Sequence, residues 1–346
     1  FIGPVLAEVL NQAPTVSNLF QTLQFDADDN PSIPLDLYYN ISDEDYVQVW
    51  SQSHAGGLPS SQVLPTASEL KLATYSLDSA VDFDRRYAAK SRMDVVSKTF
   101  TRVAQNILIK QETTSATLIM NALASASTNG VAHVTMSTQK KRFILNDLNE
   151  MLTAAKRINT SWIGGTPTSR TKGITDLLCS PEVVEDLRAM AYNPINSVSS
   201  DGAAPAAGED GVAAPDSVRD ALYRTAGLPE FYGISIMELN ELGTGQKFNT
   251  LFCANGGTYN RPDGSGAGNA VATADDEIVV GVDRSRDSLI RAVATDSESG
   301  GEFTLLADDQ YSIRQNKIGY FGSIEEGRVV LDNRVLIGKM IYSDKP

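Results

Sequence analysis

The sequence predicts an α+β protein, and three observations carry that reading. Two strongly periodic helices follow one another in the first half, and from residue 161 onward the texture changes to short strands and helices separated by loops. The chain then closes on "YSIRQNKIGYFGSIEEGRVVLDNRVLIGKM" (311–340), a stretch rich in β-branched and aromatic residues that reads as extended. Its alternation slips, since Tyr311 and Ile313 share one face whereas Ile318 and Tyr320 fall on the other. A strand facing a single core does not do that, so apolar cover is predicted on both sides.

With 346 residues and 42% hydrophobic content the chain has room for one large core or two moderate ones. The net charge of -14 argues against a protein whose main task is gripping nucleic acid, which needs a basic footprint to displace counterions from phosphates. Cys179 and Cys253 lie far apart in apolar contexts and read as reduced core residues. No stretch approaches the roughly 18–20 apolar residues of a membrane span, and the opening "FIGPVLAEVLNQ" lacks the basic flank of a signal peptide. The expectation is a soluble, non-secreted protein. Its first residue is Phe1 rather than Met, which means either processing or numbering that begins inside a longer product.

Residues 1–45 read as an irregular arm, because Pro4, Pro14, Pro31 and Pro34 prevent long helices and central strands. A long hairpin is predicted over 46–84. "YVQVW" (46–50) forms one limb, and the return limb places Tyr75, Leu77, Val81 and Phe83 on one face and Ser76, Asp78, Asp82 and Asp84 on the other. A lone two-stranded ribbon is marginal in water, and nothing local covers this one, so its cover must come from elsewhere.

The spacing predicts a helix over about 91–126, with Met93, Val96, Phe100, Val103 and Ile107 as its first stripe and Leu118, Ile119 and Leu123 extending it. Such a helix is about 50 Å long. A second helix is predicted over about 138–158, capped by Ser137 or Thr138, with Leu148, Met151 and Ala155 on its apolar side. Beyond 161, "GITDLLCS" reads as a strand leading to Ser180 as N-cap and Pro181 at the first helical position of "EVVEDLRAM". "SVRDALYRTA" reads as a helix, and "GISIMEL", "NTLFCA" and "EIVVGVD" read as strands, the last two separated by the loop "GGTYNRPDGSGAGNA".

Chemical motifs fail one by one. "DADDNPSIPLDL" places Asp26, Asp28 and Asn30 like a calcium loop, but Pro31 takes the turn glycine's place and Leu37 that of the bidentate glutamate. Gly264, Gly266 and Gly268 have phosphate-loop composition without a buried strand before them or a helix after. "GTGQKF" lacks the spacing and the Ser or Thr of a nucleotide loop. His54 and His133 are the only histidines, one in a polar loop and one in the strand-like "VAHVTM", and neither has a nucleophile or second histidine at a motif spacing. One charge feature stands out. "DRRYAAKSR" concentrates Arg85, Arg86, Lys90 and Arg92 in an otherwise acidic chain, suiting contact with acidic surface on another copy, such as the Asp26, Asp28 and Asp29 arm. Trp50 and Tyr75 on the ribbon are the aromatic candidates for the same contact.

An arm, a ribbon without a partner, an overlong helix and a two-faced terminal strand make an incomplete monomer. Their order resembles that of the tailed-bacteriophage major capsid proteins of the Hong Kong 97-like fold, which encapsulins share. The similar stretches are "CSPEVVEDLRAM" (179–190), "EIVVGVDRSRDSLIRAV" (277–293) and above all 311–340, with its long strand, a kink at Phe321 and Gly322, and an apolar return. The resemblance implies an N-terminal arm (1–45) and an extended loop (46–84). It also implies a peripheral domain with a spine helix (85–160 and 303–346) and an axial domain (161–302). It further implies a structural protein, not an enzyme, that needs no cofactor and assembles in the host bacterial cytoplasm. Its partners would be copies of itself, in hexamers and pentamers of an icosahedral shell around double-stranded DNA, held without sequence-specific binding and with no membrane. A portal protein, and scaffolding or decoration proteins, are further implied partners. Some relatives cross-link through a lysine and an asparagine, and no such pair is identified here. The alternatives are an encapsulin-like nanocompartment shell and an enzyme of unknown type.

Overall fold

The computed structural model describes residues 16–26, 31–34, 57, 69–86, 93–128, 131–137, 142–159, 173–190, 230–231, 233–255, 258–259, 270–271, 276–285, 287–295, 302–308 and 315–341. After a short 3-10 turn (Val16–Leu19) the chain forms β1 (Gln21–Asp26), β2 (Ser32–Pro34), β3 (Glu69–Lys71), β4 (Tyr75–Asp84) and the long α1 (Met93–Ala124). It continues through β5 (Ser127–Thr128), β6 (Val131–Ala132), β7 (Val134–Met136), α2 (Leu145–Asn159), β8 (Asp176–Cys179) and α3 (Pro181–Met190). Next come β9 (Glu230–Phe231), β10 (Ile234–Glu238), α4 (Lys247–Ala254), β11 (Thr258–Tyr259), β12 (Ala270–Val271) and β13 (Glu277–Val282). The last elements are β14 (Leu289–Thr295), β15 (Thr304–Asp308), β16 (Lys317–Val330) and β17 (Leu336–Ile341). The chain divides into two compact units. One comprises Phe1–Glu112, Trp162–Thr166 and Ile290–Val329, and the other Thr113–Ser161, Pro167–Leu289 and Val330–Pro346.

The first unit is organised by β16. β4 lies antiparallel along it from Lys317↔Asp84 to Glu326↔Tyr75, β15 pairs with Thr304 opposite Ser323, and β1 runs parallel to β14 in the same sheet. The missing partner of the predicted ribbon is therefore supplied by the chain itself, from more than two hundred residues downstream. The first limb, "YVQVW", lies outside the described residues. The alternation read for β4 holds: Tyr75, Leu77, Val81 and Phe83 are half-buried, whereas Ser76, Asp78 and Asp82 are exposed. The half-buried face continues onto Ile318, Tyr320 and Ile324 of β16, where the Phe83 and Tyr320 rings stack 6.0 Å apart.

Two expectations for this unit need correction. The arm is not separate from the core, since Val16, Leu19 and Phe20 are buried and Glu112 accepts from the Val16 N–H at 2.9 Å and the Ser17 N–H at 3.3 Å. Among the described residues β1 stands at the end of the strand order of its sheet. The kink expected at Phe321–Gly322 is also absent, because β16 runs unbroken through it. Gly322 is there for packing, with the Phe303 ring against the space a Cβ would take.

The second unit holds a sheet ordered β7-β17-β13-β8-β10-β9. β8, β13 and β17 are buried along their whole length, the continuous apolar pattern of strands covered on both faces. Phe143 just before α2, Leu148 and Met151 of α2, and Val183 and Leu187 of α3 share a core with Leu177 and Ile337. The start of α3 is as read, since Ser180 Oγ accepts from the Val183 N–H at 3.1 Å and Pro181 opens the helix. Its hydroxyl also donates to Glu277.

Three readings change here. α2 begins at Leu145 and not at 138. Ser137 instead donates to Asp147 at 2.7 Å, and Asp147 accepts the Ile144 N–H at 3.2 Å, so a carboxylate in the first turn does the capping. "NTLFCA" is helix α4 and not a strand, because its buried Phe248 and Phe252 are four residues apart, one helical face. The predicted loop after it includes the small hairpin β11–β12. Finally, 311–340 is not one strand with a return in one sheet. After Val330 the chain leaves β16, and β17 pairs with β13 from Glu277↔Ile341 to Val282↔Leu336 in the second unit. Residues 336–341 thus share a sheet with 176–179, which the sequence reading had assigned to a different domain. The slip in alternation falls between Ile313 and Ile318, ahead of this division, and Tyr311 and Ile313 lie outside the described residues.

Candidate assembly surface

The basic contact region read from the sequence begins where β4 ends, at Arg85. Among the described residues the strand partner of β4 is β16. Asp78 and Asp82 of β4 are both exposed. Hydrogen bonds from Ser323 and Ser76, at 2.6 and 2.5 Å, hold the Asp78 carboxyl below its usual range. Asp82 is lowered by the Lys317 ammonium, which donates to it at 2.6 Å.

Between these acids the same face turns apolar. Leu306 of β15, Phe321 of β16 and Ala80 of β4 sit directly opposite one another in register, forming a row across three strands. All three are exposed, Leu306 at 57% and Phe321 at 38%. Large apolar side chains in a contiguous exposed row are the informative exception on a surface. Alternation placed Phe321 on the face opposite Ile318, but not on the solvent side, so the sequence reading missed this row.

The base of β4 is held by a buried carboxylate. Glu326 accepts from the Tyr75 hydroxyl at 2.8 Å, Gln111 Nε2 of α1 at 3.0 Å, Arg291 Nε of β14 at 2.9 Å and Arg328 at 3.2 Å. Burial opposes its ionisation, but the Arg328 and Arg291 guanidiniums outweigh that and hold its carboxyl below the usual range. Arg328 in turn stacks over the Phe20 ring at 5.6 Å. One charge cluster thereby ties the arm, β4, α1, β14 and β16 together. Sequence could not nominate Glu326, because its partners lie up to 251 residues away.

Of the residues nominated for contact between copies, Arg85 and Arg86 are exposed just beyond β4, and Asp26 is exposed at the end of β1. Tyr75 is half-buried, with its hydroxyl engaged by Glu326 of the same chain. Asp28, Asp29, Trp50, Lys90 and Arg92 lie outside the described residues.

Cys179, His133 and Lys339 are buried. Burial pushes the thiols of Cys179 and Cys253 up, Cys179 being fully buried and Cys253 half-buried. His133 is buried, with Nδ1 placed 3.2 and 3.1 Å from the carbonyl oxygens of Asn333 and Leu336, and burial lowers its pKa. His54 lies outside the described residues. Lys339 is buried against Glu150 at 2.6 Å and Asp147 at 3.5 Å. Among the described residues no cluster of three or more His, Cys, Asp or Glu could hold a metal ion, and no helix is long and apolar enough to cross a membrane.

No family model and no curated protein matches the sequence. Solved structures do. The capsid of the cyanophage P-SCSP1u matches at a TM-score of 0.50 and 15% identity over 93% of this chain and 86% of that one. The capsid of an empty GTA particle matches at a TM-score of 0.52 and 10% identity, covering 95% and 90% of the two chains. That of a native GTA particle matches at 0.51 and 10% identity, covering 96% and 92%. With nearly the whole length of both chains aligned in each case, this chain has the Hong Kong 97-type fold of phage capsid subunits.

Proposed function

We propose that this protein is the major capsid protein of a tailed bacteriophage, assembling with copies of itself into an icosahedral shell around double-stranded DNA. The observation that supports it most is the likeness over nearly full length to the phage and particle capsids named above. In this reading the unit organised by β16 is the peripheral domain and the unit built on β13 and β17 is the axial domain.

The surface chemistry agrees with a subunit that is completed by its neighbours. The Leu306–Phe321–Ala80 row is buried by an adjacent copy, and Arg85 and Arg86 meet acidic surface on a neighbour, the role the sequence suggested for Asp26 and its flanking acids. The buried Cys179, His133 and Lys339 suit a structural role, and a portal protein and a virion location follow from the same reading.

Electron microscopy of concentrated purified protein tests it. Uniform closed shells are expected, and a monodisperse monomer at every concentration refutes the reading. Nuclease-protected DNA in particles from the native source separates a phage shell from a cargo-enclosing compartment.

A further inference from the structure

The basic cluster at Arg85, Arg86, Lys90 and Arg92 does not end where β4 meets the helix. It continues along α1 as Lys98, Arg102 and Lys110, and from Val95 to Gln111 the helix contains no acid, in a chain whose net charge is -14. Lys98, Arg102, Asn106 and Lys110 recur every four residues and therefore form one slowly winding row on the helix surface. All four are exposed, as are the donors Thr101 and Gln105 beside them, and so is Ile109. The opposite side is fixed, since Ala104 and Ile107 are buried and Gln111 is tied to Glu326. The cations are thus held outward by the packing of the other face.

We propose that this face of α1 binds the phosphate backbone of duplex DNA, giving the shell wall a weak, sequence-independent hold on the genome; the proposal rests on the capsid reading above. Charge complementarity is what selects this occupant. From Lys98 to Lys110 the row spans about 18 Å, over which one DNA strand presents about five phosphates. Three cations on one copy give low affinity, and the rest of the acidic surface repels phosphate through screened Coulomb forces. Many copies in one shell convert that low affinity into avidity. The overall acidity read from the sequence is thereby reconciled with a local contact, because charge is distributed unevenly along the chain.

The test measures binding of unassembled full-length protein to a short labelled DNA duplex across a salt series by fluorescence anisotropy. Weak binding is expected, with log affinity falling against log salt at a slope of about -2.7, the value for three phosphate contacts. The triple variant K98Q/R102Q/K110Q is expected to lose about tenfold in affinity at low salt. A control that removes the exposed pair on α2, K156Q/R157Q, is expected to bind like the parent. If the triple variant loses its fold, the double variant K98Q/R102Q gives the same comparison with a slope of about -0.9 remaining. Absence of binding at low salt, a flat salt response, or variants that bind like the parent overturn the proposal. So does a triple variant that keeps its DNA affinity but no longer forms shells, which assigns the face to an acidic segment of a second copy. Microscopy of the same preparation judges the capsid reading separately.

Discussion

Glu326 shows how much a single side chain can organise. It is a fully buried carboxylate facing two guanidiniums, and its neighbours come from four separate stretches of sequence. Removing one member of such a group leaves the others charged and unpaired in a low-dielectric interior, so Glu326→Ala is expected to cost about 3–5 kcal/mol in urea denaturation. Tyr75→Phe removes one hydrogen bond to the charged group and is expected to cost about 1.5 kcal/mol. A glycine one residue further on is constrained differently: a Cβ at Gly327 would lie 2.6 Å from the Ala73 carbonyl oxygen, a backbone atom that cannot swing aside. Gly327→Ala is expected to destabilise by about 1–3 kcal/mol, read by the same measurement. His133 sets a pH dependence. Burial depresses its pKa in the fold, with the charges of Asp332 and Arg334 nearby acting in opposite directions. The unfolded chain then takes up the proton first. Stability is complete above the ordinary value of 6.5 and is lost as pH falls from there towards the folded-state pKa. A His133→Gln variant is expected to show a shallower fall in denaturation midpoint across that window.

At the level of elements, the alternation of β4 was legible because side chains on a strand must alternate, and the N-cap of α3 was legible because it acts over one turn. What failed were segments where local preference and tertiary demand differ. "NTLFCA" has aromatic and small residues that suit a strand, yet the four-residue spacing of Phe248 and Phe252 fits a helix packed on one side. The start of α2 failed because Ser137 bonds to Asp147 ten residues on instead of capping at its own position. The pairing of β4 changes an expectation about the free subunit as well. A ribbon without cover would exchange its amides quickly, whereas β4 is hydrogen-bonded to β16 along its length. Hydrogen exchange on unassembled protein is expected to show protection within 76–83, and rapid exchange throughout that span contradicts this pairing.

For the whole molecule, assembly and folding are predicted to separate. Arg85 and Arg86 are exposed and stand outside both cores, so reversing their charge to Glu is expected to leave thermal unfolding nearly unchanged. Each exposed pair with a neighbour is worth only about 0.2–1 kcal/mol, but it recurs at every subunit and becomes repulsive. Loss or misdirection of shells in electron microscopy is the expected result, and normal shells at normal concentration show that the pair is only solvated. Phe321→Ser on the exposed row is expected to behave in the same way. By itself the sequence determined the α+β class, the long helix and the alternation of β4, since each depends on residues a few positions apart. Only the tertiary structure decided that β16 completes β4, that β17 belongs to another sheet, that Glu326 joins distant segments and that Leu306, Phe321 and Ala80 line up in solvent. Those facts depend on pairing between segments far apart in the chain, and periodicity says which face of a strand is apolar without saying what will lie against it.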